Sequence, residues 1–174
     1  MNTLSIFLWL KSGLVNILPT CMTFLFVLIG YLPWPISFFA EIVPAFAIIS
    51  LYYWVVFRPD LIPYFVVFGL GILQDAISGA PFGLHAIVYL VVRALVVNQR
   101  RFIIGKPFWV FWVAFGLVSF IAGLLSWCLA SLYRGALLPT DAPLIALIMT
   151  VTLFPLIAWI LLQVQRKIVG TMGA

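Results

Sequence analysis

Charge is what this sequence has least of. Only 7% of its residues are charged and 66% are hydrophobic, whereas a soluble domain has about 25% charged and roughly 45–50% apolar residues. A soluble fold could not cover its surface with so few polar groups, so the composition excludes an ordinary soluble domain. The long apolar stretches instead predict transmembrane helices, since a bilayer core about 30 Å thick needs roughly 20 apolar residues per helix.

Cysteine and histidine are also scarce, which restricts the available chemistry. Cys21 and Cys128 lie inside apolar runs without a second Cys or His at ligand spacing, and we interpret both as small core residues. The sequence contains no His-Glu-x-x-His motif, no Gly-x-Ser-x-Gly motif and no phosphate loop. It therefore predicts a protein that is not an enzyme and that uses no metal or cofactor. No basic run exceeds Arg100-Arg101, which argues against nucleic-acid binding.

Prolines, glycines and charged residues divide the chain into six predicted spans within one integral membrane domain, residues 1–174. The spans are 13–32, 36–57, 61–78, 82–97, 107–133 and 143–164. Pro44 and Pro155 are expected to kink the second and sixth spans. Only residues 79–81 join the third span to the fourth, which predicts a tight antiparallel hairpin. The predicted fold class is all-α, a polytopic membrane protein with six transmembrane helices.

The basic residues predict the orientation of these spans. If the N-terminus is cytoplasmic, eight of the nine Lys and Arg residues fall on or near the inner side, and only Arg134 lies outside. An excess of Lys and Arg on the cytoplasmic side is the ordinary pattern of membrane proteins. The bias favours an even number of spans, with both termini in the cytoplasm. The inner group consists of Lys11, Arg58, Arg93, Arg100, Arg101, Lys106, Arg166 and Lys167.

Three ionisable residues are predicted to lie at similar depth in the outer leaflet. Asp75 and His85 are placed symmetrically about Ala80, and Glu41 lies near the outer start of the second span. A charge inside a span costs roughly 2.5–3.5 kcal/mol at a helix centre, so each of these groups needs a partner or a purpose. One interpretation is a carboxylate and imidazole pair that pins the hairpin. The alternatives are a proton site, a metal site or a substrate pocket.

Small residues recur along the fifth span, at multiples of four. They are Ala114, Ala122, Ser126 and Ala130. Helices approach closely where side chains are small, so this seam predicts a helix contact. The contact lies either within one chain or with another membrane protein, including a second copy of this one.

Residues 58–85 resemble the signature hairpin of the MreD family of rod shape-determining proteins. In that family an Arg-Pro-Asp turn opens a helix ending in Leu-x-Asp, and a Ser-Gly, Pro-x-Gly-Leu turn leads into the next helix. The matching residues here are Arg58, Pro59, Asp60, Gln74, Asp75, Gly79, Pro81, Gly83 and Leu84.

The resemblance implies a non-catalytic subunit of the bacterial cell-wall elongation complex in the inner membrane, where it binds MreC and helps to maintain cell shape and direct peptidoglycan synthesis. It also implies indirect links to MreB, to a shape-class glycosyltransferase and to a class B penicillin-binding transpeptidase. The family is similar in overall fold to the substrate-binding components of energy-coupling-factor vitamin transporters. Such a component is the alternative function. A third possibility, lipid handling, has no selective support because aromatic residues are normal in membrane spans.

Overall fold

The computed structural model describes residues 17–31 and 43–170, and this part of the chain is helical without a strand. The all-α prediction is confirmed for these residues. A short 3-10 turn, Pro59–Leu61, precedes the third helix. The helices are α1 Ile17–Ile29, α2 Phe46–Phe57, α3 Tyr64–Ser78, α4 Leu84–Ile103, α5 Phe108–Arg134 and α6 Asp141–Gly170.

Two of the described helices, α5 and α6, are long and apolar enough to cross a membrane. The helices α1, α2 and α3 are apolar but shorter, and α4 carries three arginines along its 20 residues. Large apolar side chains such as Phe65, Val113 and Phe120 are exposed on the outside of the bundle. Cys21 and Cys128 are exposed as well, so the interpretation of both as core residues is wrong. An exterior of this kind suits contact with lipid and not with water. The described helices are therefore consistent with a membrane protein.

Prolines and glycines set several helix ends. The helix α5 begins after Pro107 and ends at Gly135, whose φ of 65° ends the helix in the left-handed conformation. In contrast, the expected kink of a continuous second helix at Pro44 is wrong, because residues 43–45 are not helical and α2 begins at Phe46. Proline lacks an N–H and disfavours helix in the residue before it. The Ala45 N–H bonds instead to Thr150 Oγ1 of α6, at 2.9 Å.

The helix α2 lies at the centre of the bundle. Ten of its 12 residues are buried, and it packs against α4, α5 and α6. A helix that is apolar on all sides is one that other helices surround. Tyr52 on α2 contacts the rings of Phe111, Phe115 and Phe154, and its hydroxyl donates to the Phe111 carbonyl at 3.1 Å. The buried hydroxyl thus has a partner among apolar side chains.

The helices α3 and α4 approach each other closely at Gly71. A Cβ atom at this position would lie 2.3 Å from the Ala86 Cα and 2.6 Å from the Ala86 nitrogen, both of which belong to the backbone. A Cβ atom at Gly69, two residues earlier on α3, would meet nothing within 4 Å. Of these two glycines, Gly71 is therefore the one that the close contact between the helices requires.

Proline 155 interrupts the hydrogen bonding of α6, and α5 compensates for it. Pro155 lies inside the helix and has no N–H to donate to Val151, four residues earlier. The indole Nε1 of Trp112 donates to the Val151 carbonyl at 2.9 Å. A carbonyl left unpaired in lipid is costly, so this bond between helices explains how the proline is tolerated.

Candidate functional site: a polar hairpin and a cavity

Asp75 holds the beginning of α4 from the end of α3. Its side chain is fully buried, and its two carboxylate oxygens accept bonds from the Gly83 N–H at 2.8 Å and the His85 N–H at 2.9 Å. The first N–H groups of a helix have no partner within the helix and carry the positive end of its dipole. Asp75 therefore caps α4, although it belongs to the neighbouring helix.

His85 is bonded to the same carboxylate. Its Nδ1 lies 2.7 Å from Asp75 Oδ1, so the structure brings the two predicted residues together. A carboxylate that accepts this bond makes Nδ1 the protonated nitrogen and leaves Nε2 available for another partner. Glu41, the third predicted member, lies outside the described residues. Within 17–31 and 43–170, no three His, Cys, Asp or Glu side chains converge to hold a metal.

Two glycines shape the turn between the helices. Gly79 ends α3 with a φ of 67°, and Gly83 precedes α4 with a φ of 98°. These values lie in the left-handed region, which glycine enters without the clash that a Cβ causes. The conformation at Gly83 directs its N–H to Asp75. Gly79, Gly83 and Asp75 of the signature thus form one structural unit.

The Arg-Pro-Asp turn is held by a residue from α4. Arg93 is 8% exposed, and its Nε donates to the Ile62 carbonyl at 2.7 Å. Its Nη2 donates to the Pro59 carbonyl at 3.3 Å, and its guanidinium carbon lies 3.8 Å from the centre of the Tyr64 ring. Arg58 and Asp60, the charged residues of the turn, have exposed side chains.

Sequence spacing predicts that Arg93 points to protein and not to lipid, although it does not identify the turn as its partner. The available signal was its spacing of four residues from Tyr89 and eight from His85, which places the three on one face of α4. That face is directed inward, since Tyr89 is buried and its hydroxyl donates to Gln74 Oε1 on α3. The signature residue Gln74 therefore joins α3 to α4.

A cavity of about 480 Å³ lies beside the polar hairpin. Its walls come from the beginnings of α2, α4 and α6, from the turn after α3 and from the C-terminal half of α5, so these parts meet at one end of the bundle. Most of the wall is apolar. The residues that contribute polar groups are Gln74, Ser78, His85, Tyr89, Ser119, Ser126, Trp127, Tyr133, Arg134 and Thr150.

The small-residue seam of α5 is directed toward the interior of the chain. Ala122 is 1% exposed, and Ala114 and Ala130 pack against the core. Ser126 lines the cavity, as does Ala130. The same part of α5 contributes Ser119 and Gly123 to the cavity wall, and sequence reasoning missed both. Small residues here leave a space between helices as well as a contact.

An apolar exterior, helices without strands in the described ranges, and charged groups bonded within the bundle together define a helical membrane protein. A family model described as rod shape-determining protein MreD matches residues 11–167, which is most of the chain. The chain belongs to this family of membrane proteins that determine rod shape, a structural function not known as enzymatic. Comparison with curated proteins and with solved structures finds no match. The resemblance to vitamin-transporter components is therefore not confirmed.

Proposed function

We propose that this protein is a non-catalytic subunit of the bacterial cell-wall elongation complex in the inner membrane. It binds MreC and, through MreC, is linked to MreB, to a shape-class glycosyltransferase and to a class B penicillin-binding transpeptidase. In this way it helps to direct peptidoglycan synthesis. Membership of the MreD family, whose model matches residues 11–167, supports this proposal.

The observation that supports a non-catalytic role is the hydrogen bonding of Asp75, the buried carboxylate of the signature. Asp75 is fully buried and accepts three hydrogen bonds from its own chain, two of them from backbone N–H groups. A general acid or base must reach the proton that it transfers. Asp75 instead stabilises the junction of α3 and α4. These bonds support a structural and not a catalytic role for the signature hairpin.

The protein is further proposed to cross the membrane six times with both termini in the cytoplasm. The cavity end of the bundle, with Arg134, is then the outer end, and Arg100, Arg101 and Lys106 lie at the inner end. This arrangement follows the positive-inside rule. The helices from α2 to α6 are joined in sequence by short connections, which supports antiparallel neighbours.

Cysteine labelling tests this topology. Both native cysteines are replaced by serine, and a single cysteine is introduced at Lys106 or at Leu137, an 84% exposed residue of the α5 to α6 connection. An impermeant maleimide added to intact spheroplasts should label the cysteine at 137 and not the cysteine at 106. Labelling at 106 would contradict the proposed orientation, and permeabilised cells provide the control for reactivity.

Copurification tests the proposed partner. The tagged protein is solubilised in mild detergent from cells expressing MreC at its native level, and an unrelated membrane protein of similar size serves as control. MreC should be retained by this protein and not by the control, and deletion of the gene should convert rods into spheres. Retention of neither MreC nor its associated synthases would contradict the proposal.

A second function is kept because the cavity favours it. A pocket of about 480 Å³ at the outer end of a membrane bundle falls within the size range of small-molecule sites, roughly 300–1,000 Å³. The alternative is a substrate-binding component of an energy-coupling-factor vitamin transporter. Tight binding of a vitamin, together with copurification of an energy-coupling ATPase module in place of MreC, would replace the elongation-complex proposal.

A further inference from the structure

We propose that the cavity beside the α3 and α4 hairpin binds the phosphate-bearing headgroup of an anionic phospholipid. This site goes beyond the proposed function, because it concerns a ligand of this chain and does not depend on MreC. It depends only on the location of the cavity at a membrane surface.

The first reason is an unpaired hydroxyl on the cavity wall. Ser119 is 4% exposed, and its Oγ has no hydrogen-bond partner within the described chain. A buried hydroxyl without a partner destabilises the fold, because it loses its bonds to water and gains none. Since Ser119 lines the cavity, an acceptor or donor on a bound molecule can satisfy it.

The second reason is the charge of the lining. Among the described residues that line the cavity, Arg134 is the one cationic side chain and none is a carboxylate. His85 also lines it, and because its Nδ1 donates to Asp75, its Nε2 is an acceptor that suits a headgroup hydroxyl and not a phosphate oxygen. Arginine and hydroxyl groups are suited to phosphate oxygens. The lining therefore favours an anionic ligand over a cationic one.

The third reason is the depth of the cavity in the membrane, which two aromatic residues near the end of α5 indicate. Trp127 and Tyr133 line the cavity, and the Trp127 indole is fixed by a bond to the Leu138 carbonyl at 3.1 Å. Trp and Tyr are enriched at the depth of lipid headgroups. The volume of about 480 Å³ accommodates a headgroup with its glycerol. It is too small for two acyl chains, which would extend into the bilayer.

Thermal unfolding in detergent with added lipid tests the site. Phosphatidylglycerol should raise the melting temperature by several degrees at a saturating mole fraction, whereas phosphatidylcholine and inorganic phosphate should not. An equal shift with phosphatidylcholine would overturn the requirement for negative charge. An equal shift with inorganic phosphate alone would indicate a site for free phosphate and would contradict the proposal that the ligand is a lipid.

A matched pair of glycine variants locates the effect. A Cβ at Gly123 meets nothing within 4 Å and Gly123 lines the cavity, so Gly123→Leu fills the space without a backbone clash. Gly69→Leu makes the same change at an exposed position of α3, where a Cβ also meets nothing. The shift with phosphatidylglycerol should disappear in the first variant and persist in the second. Equal shifts in both would place the lipid elsewhere and overturn the proposal.

A surface variant keeps the test decisive if filling the cavity prevents folding. Arg134 is exposed, so Arg134→Gln should fold and should lose at least half of the shift with phosphatidylglycerol. Native mass spectrometry should detect one retained phosphatidylglycerol in the wild-type protein and less in this variant. An unchanged shift in Arg134→Gln would contradict the site. Copurification of MreC, measured in the same preparations, reports separately on the proposed function.

Discussion

Trp112 on α5 supplies to α6 the hydrogen bond that Pro155 cannot make. The indole Nε1 lies 2.9 Å from the Val151 carbonyl, which is the acceptor that a non-proline residue at 155 would use. The partly exposed indole thus does in the apolar exterior what water would do for a soluble helix. Trp112 on α5 thus compensates for the hydrogen bond that is missing at Pro155 on α6.

This match predicts coupling between the two positions. Trp112→Phe removes the donor and should lower the free energy of unfolding by about 1 kcal/mol, the ordinary contribution of one hydrogen bond. In a Pro155→Ala background the alanine N–H replaces the indole, so the same change should have a smaller effect. A double-mutant cycle measured by reversible unfolding in mixed micelles tests this. Simple additivity of the two changes would contradict the pairing.

The close approach of α3 and α4 predicts different tolerance of two neighbouring glycines. Gly71→Ala places a methyl group against the Ala86 backbone and should cost about 1–3 kcal/mol, since one helix must move away. Gly69→Ala is the matched control and should be neutral or slightly stabilising, because alanine favours helix. Yield and melting temperature of the monodisperse protein measure both. Similar stability of the two variants would show that the helices can separate without penalty.

The capping of α4 predicts that Asp75 is needed for folding. Asp75→Ala leaves the Gly83 N–H, the His85 N–H and the His85 ring without their acceptor, at a cost of roughly 2–3 kcal/mol. The amount of folded protein, measured by fluorescence-detected size exclusion, should fall. Asp60→Ala removes an exposed carboxylate from the same signature and should leave it unchanged. Normal stability of the Asp75 variant with loss of rod shape alone would indicate a direct functional site.

Arg93 is predicted not to be replaceable by lysine. Lysine keeps the charge, but it cannot bond two carbonyls with a planar group while stacking on the Tyr64 ring. Arg93→Lys should therefore reduce stability by about 1–2 kcal/mol. Arg58→Lys, at an exposed position of the turn, is the control and should have little effect. Equal melting temperatures for the two variants would exclude the proposed role of the guanidinium.

Helix positions followed from local sequence where proline and glycine determine them. The fifth helix, Phe108–Arg134, agrees with the predicted 107–133 to within one residue, because Pro107 and Gly135 limit it. The fourth helix continues to Ile103, beyond the predicted end at 97. Asn98, Arg100 and Arg101 are polar, yet polarity ends an apolar span without ending a helix, and arginine stabilises the last turn through the helix dipole.

The partners of the polar groups depended on contacts between distant segments. Symmetry about Ala80 was enough to predict that Asp75 and His85 lie close to each other, since a short turn joins their helices. The bond from Arg93 to the Pro59 carbonyl spans 34 residues, and that from Trp112 to the Val151 carbonyl spans 39. The cavity depends on five helices at once. Spacing along the chain contains no direct signal for such arrangements.

The cap that Asp75 places on α4 has a consequence for biogenesis in the proposed topology. Alone, α3 is poorly suited to insertion into the bilayer, because its 15 residues span only about 22 Å. It also carries the Asp75 carboxylate, whose oxygens have no hydrogen-bond donors until α4 is present. The Gly83 and His85 N–H groups supply these donors once residues 83–85 have been synthesised and α4 begins. We therefore expect the two helices to enter the bilayer as a pair, with the hairpin and not the single helix as the unit of integration.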